Sequence, residues 1–171
     1  MSLLAHLVNK YGRTVLHSYD IQKLVGKVVL VPARLLREHE ETEPALVYCL
    51  VSELATLGVL KYPVLADART LTVLDGHHRL NAAKKLGYRY IPVFFVDYAD
   101  DRTITVTSFR KDFKVTKVDV IERGLSGSKY PPKTSKHRLR KTAVPRIEAN
   151  MEAIDAGNPG HTPFIEDFRL D

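Results

Sequence analysis

The run Asp75-Gly76-His77-His78-Arg79 follows a β-branched stretch and precedes an Ala- and Lys-rich stretch typical of a helix. This order predicts a strand, a tight turn at Gly76 and a helix N-terminus. The first N–H groups of a helix have no intrahelical partner, and the helix dipole adds positive potential there. Such a turn attracts phosphate, and Arg79 can add a planar, bidentate clamp. A carboxylate at the same point holds a metal ion or handles a proton, so Asp75 favours phosphoryl chemistry over simple phosphate docking.

The same run also fits a polar helix cap with a surface arginine. His77 and His78 are adjacent, so their side chains point about 100° apart and cannot chelate one metal as an i, i+4 pair does. We expect one of them to face a pocket and the other to support packing or a backbone contact. No Cys or His partners stand at zinc-ligand spacing, so a zinc site is not expected.

Positive charge is concentrated in one segment. The chain has 171 residues and a net charge of +6, yet residues 123–147 contain eight basic residues and no acidic one. The remaining 18 basic residues face 20 acidic ones. A single segment therefore favours a polyanion, on a body that is close to neutral.

The chain length fits one compact domain. No apolar run approaches the roughly 20 residues that span a membrane, and residues 1–10 lack the basic region and cleavage site of a secretory signal. The lone cysteine, Cys49, cannot form an internal disulfide, which fits a reducing, cytoplasmic location. Because Cys49 lies in an apolar helical stretch, we expect it in the core.

Hydrophobic periodicity predicts an α/β (α+β) chain, with helices packed on a mixed sheet. Helices are expected over residues 3–11, 15–25, 44–57, 77–86, 116–123 and 146–156. Strands are expected over residues 27–32, 62–66, 71–74, 91–96 and 103–109. Residues 124–134 are rich in Gly, Ser, Pro and Lys and are expected to form a loop. The last fifteen residues are expected to form a tail, or an arm that docks elsewhere.

Two further stretches carry polar groups suited to chemistry. Arg37-Glu38-His39-Glu40-Glu41 follows the first predicted strand, and a carboxylate there can serve as a general base only if this loop faces Asp75. Such acidic clusters are more often solvated. The stretch from Tyr130 to Arg138 offers hydroxyls and cationic donors, and it fits a phosphate cradle, a solvated basic loop or a nucleic-acid tether equally well.

Taken together, the three stretches resemble a known family. The turn at residues 75–79 resembles the phosphate-binding motif of the ParB/sulfiredoxin-like superfamily. With His39-Glu40 upstream and residues 132–137 downstream, the chain is similar to archaeal free serine kinases over roughly residues 27–140. The resemblance implies a ParB/sulfiredoxin-like mixed sheet with flanking helices. It also implies transfer of a phosphoryl group from ATP or ADP, with Mg²⁺, to free L-serine, and a role in cysteine or phosphoserine metabolism.

The resemblance also assigns roles to individual residues. It implies that Glu40 is the catalytic base and that Asp75 lies at the reacting centre, where it also helps to hold Mg²⁺. The implied nucleotide phosphate contacts are Gly76, His77, His78, Arg79, Thr134, Lys136 and His137. Family members often have Arg at the position of Lys136, and some have a Trp near serine where this chain has Ser108 or Phe109.

We therefore divide the chain into an N-terminal helical extension (1–26), a kinase core (27–140) and a C-terminal helix with a tail (141–171), within one compact domain. The terminal segments are candidates for a homodimer contact. The alternative function is a ParB-like DNA-binding or nucleotide-switch module without kinase activity. No helix-turn-helix follows the core, and aromatic residues are sparse in the basic segment, so we do not expect nucleic-acid binding. A sulfiredoxin-like reductase would need a reactive cysteine at the turn, which the chain lacks.

Overall fold

The computed structural model describes residues 1–170 and contains both helices and strands. The α-helices are α1 (Leu3–Tyr11), α2 (Ile21–Leu24), α3 (Pro44–Leu57), α4 (His77–Lys85), α5 (Lys117–Ser126) and α6 (Met151–Asp155). The strands are β1 (Val28–Pro32), β2 (Val59–Leu60), β3 (Val64–Asp67), β4 (Val73–Asp75), β5 (Tyr90–Val96), β6 (Ile104–Ser108), β7 (Ser135–Leu139) and β8 (Ala149–Asn150). Short 3₁₀ turns occupy Arg13–Val15, Ala33–Leu35 and Ile165–Phe168. None of the helices in this part of the chain is long and apolar enough to cross a membrane.

A four-stranded mixed sheet in the order β1-β5-β3-β4 forms the centre of the molecule. Strand β5 runs antiparallel to β1 and parallel to β3, while β3 and β4 form an antiparallel pair. Alternate residues of β5 enter different clusters, Val93 on one face and Phe94 on the other. Both faces of the sheet are therefore covered, which explains why this strand is apolar throughout.

The turn between β3 and β4 is built around a buried carboxylate. Asp67 accepts hydrogen bonds from Thr70 N (2.9 Å), Thr70 Oγ1 (2.7 Å) and Tyr98 N (3.1 Å). Burial raises the pKa of Asp67, and these hydrogen bonds oppose the rise. The three donors satisfy the buried group and hold the turn that leads into β4.

A second β-pair lies beside the main sheet. Strand β7 pairs antiparallel with β6, from Ile104 opposite Leu139 to Ser108 opposite Ser135. The sequence reading missed β7, because its basic residues lack the apolar alternation of a half-buried strand. Helix α5 continues to Ser126, beyond the predicted end, so the predicted loop over residues 124–134 begins only after it.

Both termini pack on the chain itself. In α1, Leu7 is buried and Lys10 contacts Glu122 of α5 at 2.8 Å. Near the C-terminus, Pro163 O accepts a hydrogen bond from Leu30 N at 2.8 Å, and Ile165 is fully buried. The expectation of a free tail or an arm docked elsewhere was therefore wrong, since this segment covers the edge of β1.

Three further local predictions were wrong. Of the helix expected over residues 15–25, only the short α2 forms, and the 3₁₀ turn Arg13–Val15 precedes it. The helix expected over residues 146–156 forms only at Met151–Asp155. Cys49 is exposed, not buried in the core. Because α3 also carries exposed apolar residues, namely Leu46, Tyr48 and Leu57, its periodicity does not reveal that Val47 and Leu54 mark the buried face.

Candidate active site

A cavity of about 420 Å³ lies between α3, β2 and the turn that joins β4 to α4. One half of its wall is apolar, formed mainly by Leu46, Leu50, Leu54, Val59, Leu60 and Ala82. The other half is polar and includes Glu40, Asp75, Gly76, His77, His78, Arg79, Lys133 and Ser135. A cavity with an apolar side and a few convergent polar groups is typical of a small-molecule site.

The sharp turn at the polar end depends on Gly76. Its φ of 97° lies in the left-handed region, and it precedes α4 as the N-cap. No side chain caps this helix end, so the first N–H groups of α4 keep their hydrogen-bonding capacity. The predicted strand, turn and helix N-terminus are therefore present, with unsatisfied donors at the cavity.

The guanidinium of Arg79 folds back over this turn. Its Nη2 donates to Pro63 O at 3.1 Å and lies 3.8 Å from Asp75 Oδ2. Its Nε is buried and has no hydrogen-bond partner within the described chain. Burial lowers the pKa of Arg79, which the Asp75 carboxylate partly offsets. The side chain as a whole is 24% exposed, so this cation, fixed beside the turn, is suited to receive an anion.

Main-chain hydrogen bonds bring the upstream acidic loop to the downstream basic stretch. Tyr130 N donates to His39 O, and Glu41 N donates to Tyr130 O, both at 2.8 Å. Side-chain contacts add to this pairing, with Lys129 3.5 Å from Glu38 and Lys133 3.5 Å from Glu43. The two stretches therefore meet beside the Gly76 turn, as the sequence hypothesis requires.

Glu40 is held by one oxygen only. Its Oε2 accepts from both the backbone N and the Oγ of Ser135, at 2.8 Å each. Within the described residues, Oε1 accepts no hydrogen bond. Since Glu40 is part of the cavity wall and only 7% exposed, it presents a fixed carboxylate with one available oxygen.

Both histidines of the turn make backbone contacts. His77 Nε2 accepts from His39 N at 3.3 Å, and His78 Nε2 accepts from Glu43 N at 3.0 Å. Burial lowers the pKa of His77 well below its ordinary value, and the neighbouring imidazoles add to the effect. Both rings contribute to the cavity wall, and both also tie the acidic loop to α4, so the expected division of roles between them is absent.

Three residues predicted to contact phosphate lie away from the cavity wall. Thr134 is buried and its hydroxyl donates to Pro131 O at 2.7 Å. The Nε2 of His137 is 3.0 Å from Tyr98 Oη. Lys136 is exposed, with its Nζ 5.2 Å from the ring of Phe109, which does line the cavity. These side chains support the loop and the rim rather than the phosphate turn.

The donors available for a divalent cation are few. No cluster of three or more His, Cys, Asp or Glu residues suited to a metal occurs within residues 1–170. The Asp75 side chain is 68% exposed beside the turn, and its Oδ1 accepts from Gly76 N at 2.9 Å. Mg²⁺ is commonly held by one or two carboxylates together with substrate phosphates, and Asp75 fits that arrangement.

Sequence reasoning missed several residues of the site. Ser135, which anchors Glu40, stood in the basic stretch only as one hydroxyl among others. Lys133 and the apolar face of α3 were not assigned to the pocket. The signals that could have found them were positions along the chain: Ser135 lies two residues after the turn at Pro132 and Lys133, and the apolar residues follow Pro44 at the start of α3.

The known proteins to which this chain is similar include serine kinases. No family model matches the chain. An ATP-dependent L-serine kinase of Staphylothermus marinus is 34% identical over 77 residues, which are 43% of this chain and 31% of that protein. A kinase of the same name from Desulfurococcus mucosus is 34% identical over 74 residues, covering 41% and 29%. The match therefore spans less than a third of each curated relative.

Solved structures match over a larger part of the chain. A free serine kinase in complex with AMP has a TM-score of 0.65 at 15% identity, covering 75% of this chain and 93% of that one. The chain shares the fold of that kinase. A conserved hypothetical protein from Pyrococcus furiosus has a TM-score of 0.66 at 14% identity, covering 75% and 97%. The predicted mixed α+β architecture, with helices flanking a mixed sheet, is confirmed, and the chain shares it with these solved structures.

The buried histidines near the site predict a specific pH dependence of stability. Burial lowers the pKa of His137 to about 3, and the adjacent His39 adds to the effect. In an unfolded chain histidine titrates near pH 6.5. Between these values the unfolded state binds a proton that the folded state does not, so stability falls as pH falls. We expect His137 to cost on the order of 2 kcal/mol of stability at pH 5 relative to pH 7.

Urea unfolding of the wild type and His137→Gln at pH 7 and pH 5 measures this contribution. The variant should lose less stability on acidification than the wild type, because its replaced side chain does not titrate. His39 and His77 remain in both proteins and provide the matched background. An equal pH dependence in the two proteins would contradict the assignment.

Proposed function

We propose that this protein is a kinase that transfers a phosphoryl group from ATP or ADP to the hydroxyl of free L-serine, giving O-phospho-L-serine. The observation that carries the proposal is that Glu40 and Arg79 line one cavity. A base and a phosphate-binding turn are thereby within reach of a single small ligand. The names of the two curated relatives and the shared free serine kinase fold support this choice.

In the proposed arrangement, the nucleotide lies with its phosphates at the Gly76 turn and its base against the apolar wall. Its terminal phosphate would accept hydrogen bonds from the free N–H groups at the start of α4 and from the Arg79 guanidinium in the cavity wall. The base would lie against the apolar wall formed by Leu50, Leu54 and neighbouring residues. Lys133 also lines the cavity, but its pairing with Glu43 at 3.5 Å reduces the charge that it offers to the phosphates.

Glu40 is then the proton acceptor. Its free Oε1 takes the proton from the serine hydroxyl as that oxygen attacks the terminal phosphorus in line with the leaving oxygen. Because Oε2 is fixed by Ser135, the carboxylate does not have to reorganise before it accepts the proton. Phosphoryl transfer depends mainly on such positioning and on neutralisation of charge.

Asp75 is the residue proposed to hold Mg²⁺, together with phosphate oxygens. When bound, the cation neutralises phosphate charge and orients the phosphoryl group. Thr134, Lys136 and His137 remain proposed contributors to the phosphate site. Their placement favours support of the loop over direct contact.

The choice of nucleotide is part of the proposal. The curated relatives are named as ATP-dependent, while one solved free serine kinase is a glutamate-to-alanine variant in complex with ADP. The phosphate turn of this chain contacts only the terminal phosphate in the proposed arrangement. That contact does not distinguish ATP from ADP, so both are tested as donors, and the names of the curated relatives favour ATP.

The direct test is to incubate the protein with Mg²⁺, L-serine and either ATP or ADP, and to detect O-phospho-L-serine by ³¹P NMR and mass spectrometry. We expect phosphoserine with ATP. Replacement of L-serine by L-alanine, which has no hydroxyl, should give no phosphorylated amino acid. If neither ATP nor ADP gives phosphoserine, the proposed function is contradicted.

A DNA-binding role is less well supported. In the basic segment, Lys129 and Lys133 pair with Glu38 and Glu43, and Arg146 lies 3.8 Å from Glu148. These pairs leave less positive charge free for a phosphate backbone. DNA binding that weakens steeply with salt, without serine phosphorylation, would favour the alternative. A homodimer, a cytoplasmic location and a role in cysteine metabolism remain predictions.

A further inference from the structure

A chain of polar contacts runs from Glu40 into the protein interior, away from the cavity. Glu40 Oε2 lies 2.8 Å from Ser135 Oγ, and Ser135 Oγ lies 2.8 Å from His39 Nε2. On the far side of the ring, His39 Nδ1 is 2.7 Å from Val73 O. The chain ends on β4, in the core.

The proton positions in this chain follow from its chemistry. A carbonyl oxygen can only accept, so His39 Nδ1 must donate to Val73 O. His39 is fully buried, and burial lowers its pKa, although the Val73 carbonyl and Glu40 oppose the shift. The imidazole is therefore neutral, and its Nε2 is an acceptor. The single hydroxyl proton of Ser135 thus faces two acceptors, one on each side.

We propose that Ser135 is a positioning residue for Glu40 and that His39 is the alternative acceptor for its hydroxyl proton. The inference rests on the proposed function, in which Glu40 takes the substrate proton. While Glu40 is ionised, the Ser135 hydroxyl donates to Oε2, since a hydrogen bond to a charged oxygen is the stronger one. Once the carboxyl is neutral, the hydroxyl turns to His39 Nε2.

The reaction step balances without a further reactant. The substrate proton moves to Glu40 Oε1 as a bond forms between the substrate oxygen and phosphorus. The bond from phosphorus to the nucleotide oxygen breaks, and its electron pair leaves with the nucleotide. Ser135 keeps its own proton throughout and changes only its acceptor, so both charge states of Glu40 are accommodated by rotation of one hydroxyl.

Ser135→Ala isolates the hydroxyl, because the backbone N–H of residue 135 still donates to Glu40 Oε2. We expect kcat for phosphoserine formation to fall roughly 10-fold to 100-fold, as is typical for loss of one hydrogen bond to a charged group. The KM for the nucleotide should stay close to the wild-type value. Ser135→Thr keeps the hydroxyl and should restore most of the activity. A kcat for Ser135→Ala close to the wild type, or a Ser135→Thr variant as slow as Ser135→Ala, would overturn the proposal.

The second test is a double-mutant cycle with His39→Asn. Its amide can still donate to Val73 O, but it places no acceptor at the position of Nε2. Because His39 acts through Ser135, the double variant should be no slower than the slower of the two single variants. Independent, multiplicative losses would overturn the coupling. If His39→Asn does not fold, the comparison of Ser135→Ala with Ser135→Thr still decides.

A spectroscopic measurement separates this inference from the proposed function. The ¹⁵N resonance of His39 Nε2 should move in Ser135→Ala and return in Ser135→Thr, and an unchanged resonance would overturn the contact. A wild-type protein that forms no phosphoserine refutes the kinase proposal and with it the role assigned to Glu40. An active wild type with an equally active Ser135→Ala variant refutes only the positioning role.

Discussion

Glu40→Gln is expected to lose nearly all phosphoserine formation, with a fall in kcat of roughly 10²-fold to 10⁴-fold. Glutamine is close in size to glutamate and can still accept from Ser135 N, which now donates to Glu40 Oε2 at 2.8 Å. It cannot take a proton from the substrate hydroxyl. Nucleotide affinity, measured by calorimetry, should change little, because the phosphate turn is untouched.

Glu41→Gln is the matched control for this variant. Glu41 is the next residue along the chain and is exposed, and its backbone N–H donates to Tyr130 O, a bond that the substitution preserves. Its kcat should stay near the wild-type value. Equal losses in the two variants would indicate a general effect of charge in this loop. A Glu40→Gln variant with undiminished kcat would remove Glu40 from the role of base.

Gly76→Ala is the second change with a large expected effect, and it acts on binding. A Cβ on Gly76 would lie 2.7 Å from Arg79 Nη2 and 3.1 Å from Nε, and the φ of 97° disfavours any side chain. We expect a loss of stability of about 1–3 kcal/mol. Because the guanidinium must also move, nucleotide affinity should fall by roughly tenfold or more, the loss of one charge-assisted contact.

Gly87→Ala separates these two effects. Gly87 also has a positive φ, 79°, but a Cβ there would meet nothing within 4 Å. This control should lose stability through backbone strain and keep the nucleotide affinity of the wild type. Calorimetric titration of both variants, beside thermal unfolding, makes the comparison. Wild-type affinity in Gly76→Ala would show that Arg79 does not need its present position over the turn.

Local sequence signals predicted the parts of the site whose geometry is set by neighbouring residues. The turn at Gly76 follows from one glycine between a strand and a helix, and α3 begins at Pro44 and ends at Leu57, before its Gly58 cap, as the residue types indicate. The mixed sheet with flanking helices was predicted from the hydrophobic periodicity and the resemblance, and it is present and shared with a solved free serine kinase. The roles of Glu40 and Arg79 remain predictions that the variants test.

Features that depend on distant partners could not be predicted in this way. Strand β7 is polar, and it forms because β6 offers a complementary edge. The segment around Ile165 is short and weakly periodic, and it is ordered by burial against β1. Thr134 and His137 have residue types suited to phosphate, and only tertiary packing directs them toward Pro131 and Tyr98.

The main-chain pairing of His39 and Glu41 with Tyr130 has a consequence for the effect of ionic strength. Dissolved ions screen exposed charges, so the contacts of Lys129 and Lys133 weaken as salt is added. Amide-to-carbonyl bonds carry no net charge and are not screened in this way. High salt should therefore weaken the attraction for an anionic ligand while the groups that act on it stay together.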